Sequence, residues 1–179
     1  MTQLYRRIFK SQQTGNSTTR ELLQSMFVGE YLHSVNEIWI VSPWLTNIAL
    51  IDNRSGNFDS LNPSWGRREV RLVDVLVGFM EKGVKVFVVT RGIDINQPFI
   101  NKVSELSEMH AVDDFLKVVL QSELHTKGIL LSSSLLMGSM NLTNNGLEMN
   151  DEMIQFSIDP EDIAHTRLEF RKYLNENNG

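Results

Sequence analysis

The sequence predicts an α/β protein in which a mixed, largely parallel β-sheet is flanked by helices. Glu37-Ile-Trp-Ile-Val-Ser42 and Val84-Lys-Val-Phe-Val-Val-Thr90 are short, nearly continuous runs of β-branched and aromatic residues, the pattern of strands buried on both faces. Between them Leu72, Val75, Leu76, Phe79 and Met80 recur at helical spacing. A strand, helix, strand unit implies parallel strands with a right-handed crossover, and later apolar runs add further strands.

The other elements follow in order. Residues 1–16 form an N-terminal segment with no element assigned. Thr18 and Glu21 make a capping box ahead of Leu22, Leu23, Met26, Phe27 and Tyr31, which predicts a helix to about His33. Pro43 ends the first strand. Asp52 to Arg68, DNRSGNFDSLNPSWGRR, has no sustained period and reads as a long loop over 52–69, of a length that often serves function. Gly83 stops the helix that begins at Arg71. Pro98 to about Phe115 is helical. Leu116–Leu120, Leu124–Leu131, Leu135–Met137 and Met153–Ile158 are strand-like runs. Asp159 as N-cap, Pro160 as first helical residue and Glu161 in the first turn open a closing helix to about Leu174.

Length and composition bound the rest. At 179 residues, with 41% hydrophobic and 22% charged, the chain fits one globular domain over 1–179. The lack of cysteine removes disulfides and thiolate ligands, and no motif calls for a metal or cofactor. No run is long enough to span a bilayer, so a cytoplasmic protein without a membrane partner is expected. Seventeen basic against 22 acidic residues give a net charge of −5, with no general pull toward a polyanion. Arg67, Arg68, Arg71, Lys85 and Arg91 read equally as a local basic patch or as solvated surface.

The chemistry concentrates between His125 and Glu152, HTKGILLSSSLLMGSMNLTNNGLEMNDE. On a strand, His125 and Lys127 share a face and Thr126 takes the other. Ser139 and Asn141 repeat that spacing, and Gly138 allows close backbone approach. Glu152 opens the next strand, where a carboxylate could accept the other ring hydrogen of His125. Together these are an imidazole nucleophile, an ammonium for phosphate oxygens, and amide and hydroxyl donors. His33, His110 and His165 read as structural or exposed, and none is followed two residues later by Lys.

His125-x-Lys127, then Gly138-Ser-x-Asn141 and Glu152, resembles the signature of the phospholipase D superfamily. The likeness extends less tightly to the early strand, the crossover helix, the GVKV of Gly83–Val86 and the closing Asp-Pro helix. It implies the phospholipase D-like fold and a metal-independent phosphodiesterase. His125 of one subunit would attack phosphorus to give a phosphohistidine, and His125 of another would protonate the leaving oxygen. Lys127 and Asn141 would hold non-bridging oxygens, Ser139 would assist them or orient Lys127, and Glu152, rather than Glu148, would orient His125. With one motif per chain and no internal repeat, a twofold homodimer is expected.

The family places an aspartate seven residues after the histidine, where this chain has Ser132. Two readings therefore remain: a dimeric nuclease, or a noncatalytic scaffold or DNA-binding subunit. A lipase would need a membrane-contact surface, and neither a basic amphipathic helix nor a hydrophobic hairpin is evident. VSPWL, IDNRSGNF, LHTKG and GSMNLTNNG are similar to small phospholipase D-like proteins encoded with bacterial 7-deazaguanine DNA-modification and restriction systems. That likeness implies an endonuclease, or a subunit of one, acting on DNA in anti-phage defence beside other defence proteins. Trp44 and Trp65 read as core or loop packing in preference to base stacking.

Overall fold

The computed structural model describes residues 4–10, 16–33 and 35–175. In chain order the elements are β1 (Tyr5–Lys10), α1 (Asn16–Tyr31), β2 (Glu37–Val41), β3 (Ala49–Asp52), β4 (Glu69–Arg71), α2 (Leu72–Glu81) and β5 (Lys85–Thr90). They continue with α3 (Gln97–Met109), β6 (Leu116–Leu120), β7 (Gly128–Leu130), β8 (Leu135–Gly138), α4 (Asn144–Glu148), β9 (Glu152–Ser157) and α5 (Pro160–Arg171). Seven strands form one mixed sheet in the order β1-β9-β8-β7-β2-β5-β6, and β3 pairs with β4 in a separate hairpin. β2, β5 and β6 run parallel, while β7, β8, β9 and β1 alternate in direction.

Side-chain alternation explains why β2 and β5 read as continuous apolar runs. Ile38 and Ile40 enter a core with α1, α2 and α3, whereas Trp39 and Val41 enter a second core closed by Ile163 and Phe170 of α5. Trp39 stacks on Phe87 with ring centroids 4.2 Å apart. Helix α2 is apolar almost all round because it lies between the sheet and its neighbours, with Leu72, Val75, Leu76, Phe79 and Met80 all buried. The Asp74 carboxylate accepts from Arg71 N at 2.8 Å at its start. Gly83, at φ +79°, ends the crossover in the left-handed conformation that glycine takes at little cost.

Strand directions define a working end of the sheet. β2 and β5 are parallel, so Val41 and Thr90 finish at the same end. β7 is antiparallel to β2, with Val41 opposite Gly128, so the chain enters β7 there. β8 leaves and β9 begins at that end too, because Gly128 faces Met137 and Gly138 faces Ile154.

The structure corrects several boundaries. β1 occupies part of the N-terminal segment left without an element, and is paired antiparallel with β9. Thr18 lies inside α1, which already runs from Asn16, so it is not the cap. α3 ends at Met109, because Ala111 takes a positive φ of 54° and residues 113–115 form a separate 3-10 turn. β7 is only Gly128–Leu130, so His125 and Lys127 precede the strand. The closing helix starts as expected, with the Asp159 side chain accepting from Glu161 N at 2.9 Å, and becomes 3-10 after Arg171.

The long loop also differs in kind from the expectation. Asp52 belongs to β3, and the rest is anchored by the buried Asn53, Asn62 and Trp65, its other residues being half-buried or exposed. Asn53 donates to Asp59 and to Gly66 O and accepts from Phe58 N at 2.7 Å. Trp65 is buried 5.0 Å from the Tyr31 ring, and Asn62 donates to Tyr31 Oη at 3.1 Å. Tyr31 ends α1, which leads into the start of β2, so the loop braces the far end of the sheet.

Candidate active site

The site is framed by buried polar groups that follow β2. Ser42 N donates to Val89 O at 3.0 Å, continuing the ladder past the last residue of the strand. Ser42 Oγ donates to Trp44 O at 2.8 Å, accepts from Leu142 N at 3.2 Å and lies 3.4 Å from Asn141 Oδ1. Asn96 is fully buried. Its carbonyl accepts from Leu45 N at 2.8 Å, and its amide nitrogen reaches Pro43 O at 2.8 Å, Thr90 Oγ1 at 2.9 Å and Arg91 O at 2.8 Å. A buried polar network with its partners in place fixes the backbone it touches.

His125 and Lys127 lie on the extended segment entering β7. Lys127 lines a small cavity with Gly138 and Ile154, and Thr126 lines another with His165 and Phe170, so these two side chains reach different surroundings although the strand begins only at Gly128. Lys127 Nζ donates to His125 O at 2.7 Å, which leaves two of its three hydrogens available. His125 is exposed, and its ring has no hydrogen-bond partner among the described residues.

Gly138 is required by the approach of β9. A Cβ there would lie 2.1 Å from Met153 O and 2.8 Å from Ile154 Cα. Ser139 then locks onto β9, its N donating to Met153 O at 3.0 Å and its Oγ accepting from Met153 N at 3.0 Å. Ser139 Oγ donates to the buried Glu152 carboxylate, which also accepts from Asn150 Nδ2 at 3.4 Å. Glu152 therefore meets Ser139, and no hydrogen bond joins it to His125 among the described residues. Asn141 is buried beside Ser42, over the start of α4, where a Cβ on Gly146 would meet Asn141 O at 2.2 Å. Glu148 pairs with Arg20 of α1.

Ser132 lies in the turn between β7 and β8, at the far end of the sheet. The turn is held by Glu30 of α1, only 1% exposed, whose carboxylate accepts from Ser132 N at 2.5 Å and from Ser133 Oγ at 2.8 Å. The carboxylate absent from position 132 thus has a counterpart delivered from another element. Nothing local in the sequence marks Glu30 for this task.

Most candidate patch cations are already paired. Arg67 meets Asp59 and Arg68 meets Asp74, while Arg71 donates to Asn47 O. Lys85 starts β5, away from the site. The remaining His residues are engaged elsewhere or exposed: His33 Nδ1 donates to Gly29 O, His110 pairs with Glu81, and His165 lies on α5. Arg91 follows β5 at the working end, and its Nε has no partner among the described residues. Sequence reasoning treated Trp44 as packed; it is 45% exposed at that same end, between buried Pro43 and Leu45.

Residues 47–174 match the model of a family described as cardiolipin synthase, phospholipase D-like domain. The chain belongs to the phospholipase D-like family. No curated protein matches the sequence. Among solved structures it is similar to Nuc, a phospholipase D family member of Salmonella typhimurium, with a TM-score of 0.62 at 14% identity over 96% of this chain and 93% of that one. NucT from Helicobacter pylori gives 0.59 at 14% identity, covering 96% of each chain. TrmBL2, an archaeal chromatin protein whose structure shows a mode of DNA binding, gives 0.53 at 11% identity over 97% of this chain and 53% of that one. The phospholipase D-like architecture expected from the motif is therefore the observed one. No helix among the described residues is long and apolar enough to cross a membrane.

Proposed function

We propose that the protein is a metal-independent phosphodiesterase that cleaves DNA as a homodimer, alone or as the nuclease subunit of a bacterial DNA-modification and anti-phage defence system. The observation that carries this reading is the gathering of His125, Lys127, Ser139, Asn141 and Glu152 at one end of the sheet, from chain segments before β7, after β8 and at the start of β9.

In the first step a neutral His125 imidazole nitrogen attacks phosphorus, forming a P–N bond as the P–O bond to the leaving group breaks. The leaving oxygen takes a proton from the imidazolium of His125 in the second copy, since nucleophile and acid lie on opposite sides of an in-line displacement. That second imidazole, now neutral, removes a proton from water, whose oxygen attacks phosphorus and breaks the P–N bond. Lys127 turns its free hydrogens to the non-bridging oxygens, and Asn141 adds an amide donor. Ser139, whose hydroxyl hydrogen goes to Glu152, holds the segment that leads to Asn141. His125, whose ring has no hydrogen-bond partner among the described residues, carries the phosphoryl group.

The alternative of a noncatalytic scaffold or DNA-binding subunit rested on Ser132. Its place in the far turn, with Glu30 supplying the carboxylate, separates that substitution from the reacting groups and supports activity. The test is cleavage of single- and double-stranded DNA with excess EDTA, comparing wild type with His125→Ala. Metal-independent cleavage abolished in the variant is expected. Cleavage that persists in His125→Ala, or that stops with EDTA, rejects the mechanism.

A further inference from the structure

We infer that Trp44 and Arg91 form a nucleotide subsite beside the reacting groups, Trp44 stacking on an unpaired base and Arg91 holding an adjacent phosphate, so that the substrate class is single-stranded DNA. This rests on the phosphodiesterase reading and narrows it.

Trp44 is the one exposed position from Ile38 to Leu45, and its neighbours on both sides are buried. Its backbone is rigidly held: Asn96 takes Pro43 O on one side and Leu45 N on the other, and Ser42 Oγ binds Trp44 O. An exposed indole on a fixed backbone is a platform rather than a loose surface side chain, and loses little freedom on stacking. Asn96 also donates to Arg91 O at 2.8 Å, so one buried amide fixes the backbone on which both side chains stand. Arg91 has no acidic partner among the described residues, unlike Arg54, Arg67 and Arg68. Ser42 links this pair to the reacting groups through its contact with Asn141.

The chemistry selects the ligand. An aromatic face attracts any base, but only one whose neighbour has been withdrawn, as in a single strand. With a net charge of −5, the chain has little nonspecific pull on a duplex, so a stacked base and one paired phosphate make a large share of the affinity.

The experiment measures binding of a short oligothymidylate and of an abasic strand of equal length at low ionic strength, with cleavage of the thymidine strand followed in parallel. Wild type binds the thymidine strand about five- to a hundredfold more tightly than the abasic one, the range for one stacked base. Trp44→Ala binds both strands with the wild-type abasic affinity, and Trp44→Phe keeps most of the preference. Arg91→Gln weakens both strands equally and lowers the salt slope by about one. Equal wild-type affinity for the two strands, no binding of either, or a preference that survives Trp44→Ala overturns the subsite. Cleavage without base preference sinks this inference and leaves the phosphodiesterase reading standing; base preference without cleavage does the reverse.

Discussion

The Glu30 carboxylate accepts a hydrogen bond from Ser132 N at 2.5 Å, across 102 residues of sequence. It also accepts from Ser133 Oγ at 2.8 Å, so a buried charge is satisfied by two donors of one turn. Glu30→Ala is expected to cost roughly 2–3 kcal/mol in urea unfolding, the scale for hydrogen bonds to a charged group. Ser132→Ala should cost less than about 0.5 kcal/mol, since only its backbone is used. Similar losses in both variants would show that the Ser132 side chain carries the turn.

The same turn predicts a dependence on background. Ser132→Asp in the wild type lowers stability, because a second carboxylate meets Glu30. In Glu30→Ala it restores roughly 1 kcal/mol, by supplying an acceptor from within the turn. A double-mutant cycle read by urea midpoint gives the sign of the coupling.

Gly138→Ala places a methyl group against Met153 O at 2.1 Å, so β8 and β9 must part where Ser139 meets Glu152. The expected loss exceeds about 3 kcal/mol, and thermal unfolding of the variant reads it directly. A near-neutral result would place the two strands farther apart than described.

Glu152 is expected to act through Ser139, its hydrogen-bond partner. Glu152→Gln and Ser139→Ala should each lower kcat by about ten- to a hundredfold, as lost orienting partners do. The double variant should be little worse than either alone. Additive losses would mean that Glu152 has a second task, and steady-state kinetics on an oligonucleotide distinguishes the two.

Tyr31 supplies a pH dependence. Burial raises its phenol above the ordinary 10.0, with Glu81 adding to the rise and the Asn62 hydrogen bond opposing it. Because the folded value lies above the unfolded one, Tyr31 contributes its full stability below about pH 10 and loses it progressively as pH rises beyond. An ionised oxygen can no longer donate to Gly78 O, 3.2 Å away. Urea midpoints should therefore fall in alkali for the wild type, and less steeply for Tyr31→Phe.

What the sequence made legible was local and periodic. The β2, α2 and β5 unit is visible because two-sided burial removes polar residues from the strands, and Gly83 and Asp159 mark helix ends by their backbone chemistry. β1 was missed because Arg6 and Arg7 interrupt an edge strand whose identity comes from pairing with β9. The strand assigned to His125 was too long because the apolar Leu124 and Leu131 flank a ladder confined to Gly128–Leu130.

The motif spacing picked out residues that the fold brings to one end of the sheet, but not their contacts. Glu152 was matched to His125 by resemblance, whereas the fold sets it against Ser139. Ser42, Asn96 and Glu30 were invisible in the sequence because their partners lie in distant parts of the chain. Trp44 carried an ambiguity that only exposure resolves, since a buried and a presented indole look alike in sequence.

The distant sequence origin of the Glu30 carboxylate bears on how such proteins are found. A genome screen that demands an acidic residue seven positions after the histidine would discard this chain as a broken copy. A screen that asks whether any buried carboxylate reaches the β7–β8 turn would keep it, and would separate relocated acids from lost ones among other apparent pseudoenzymes.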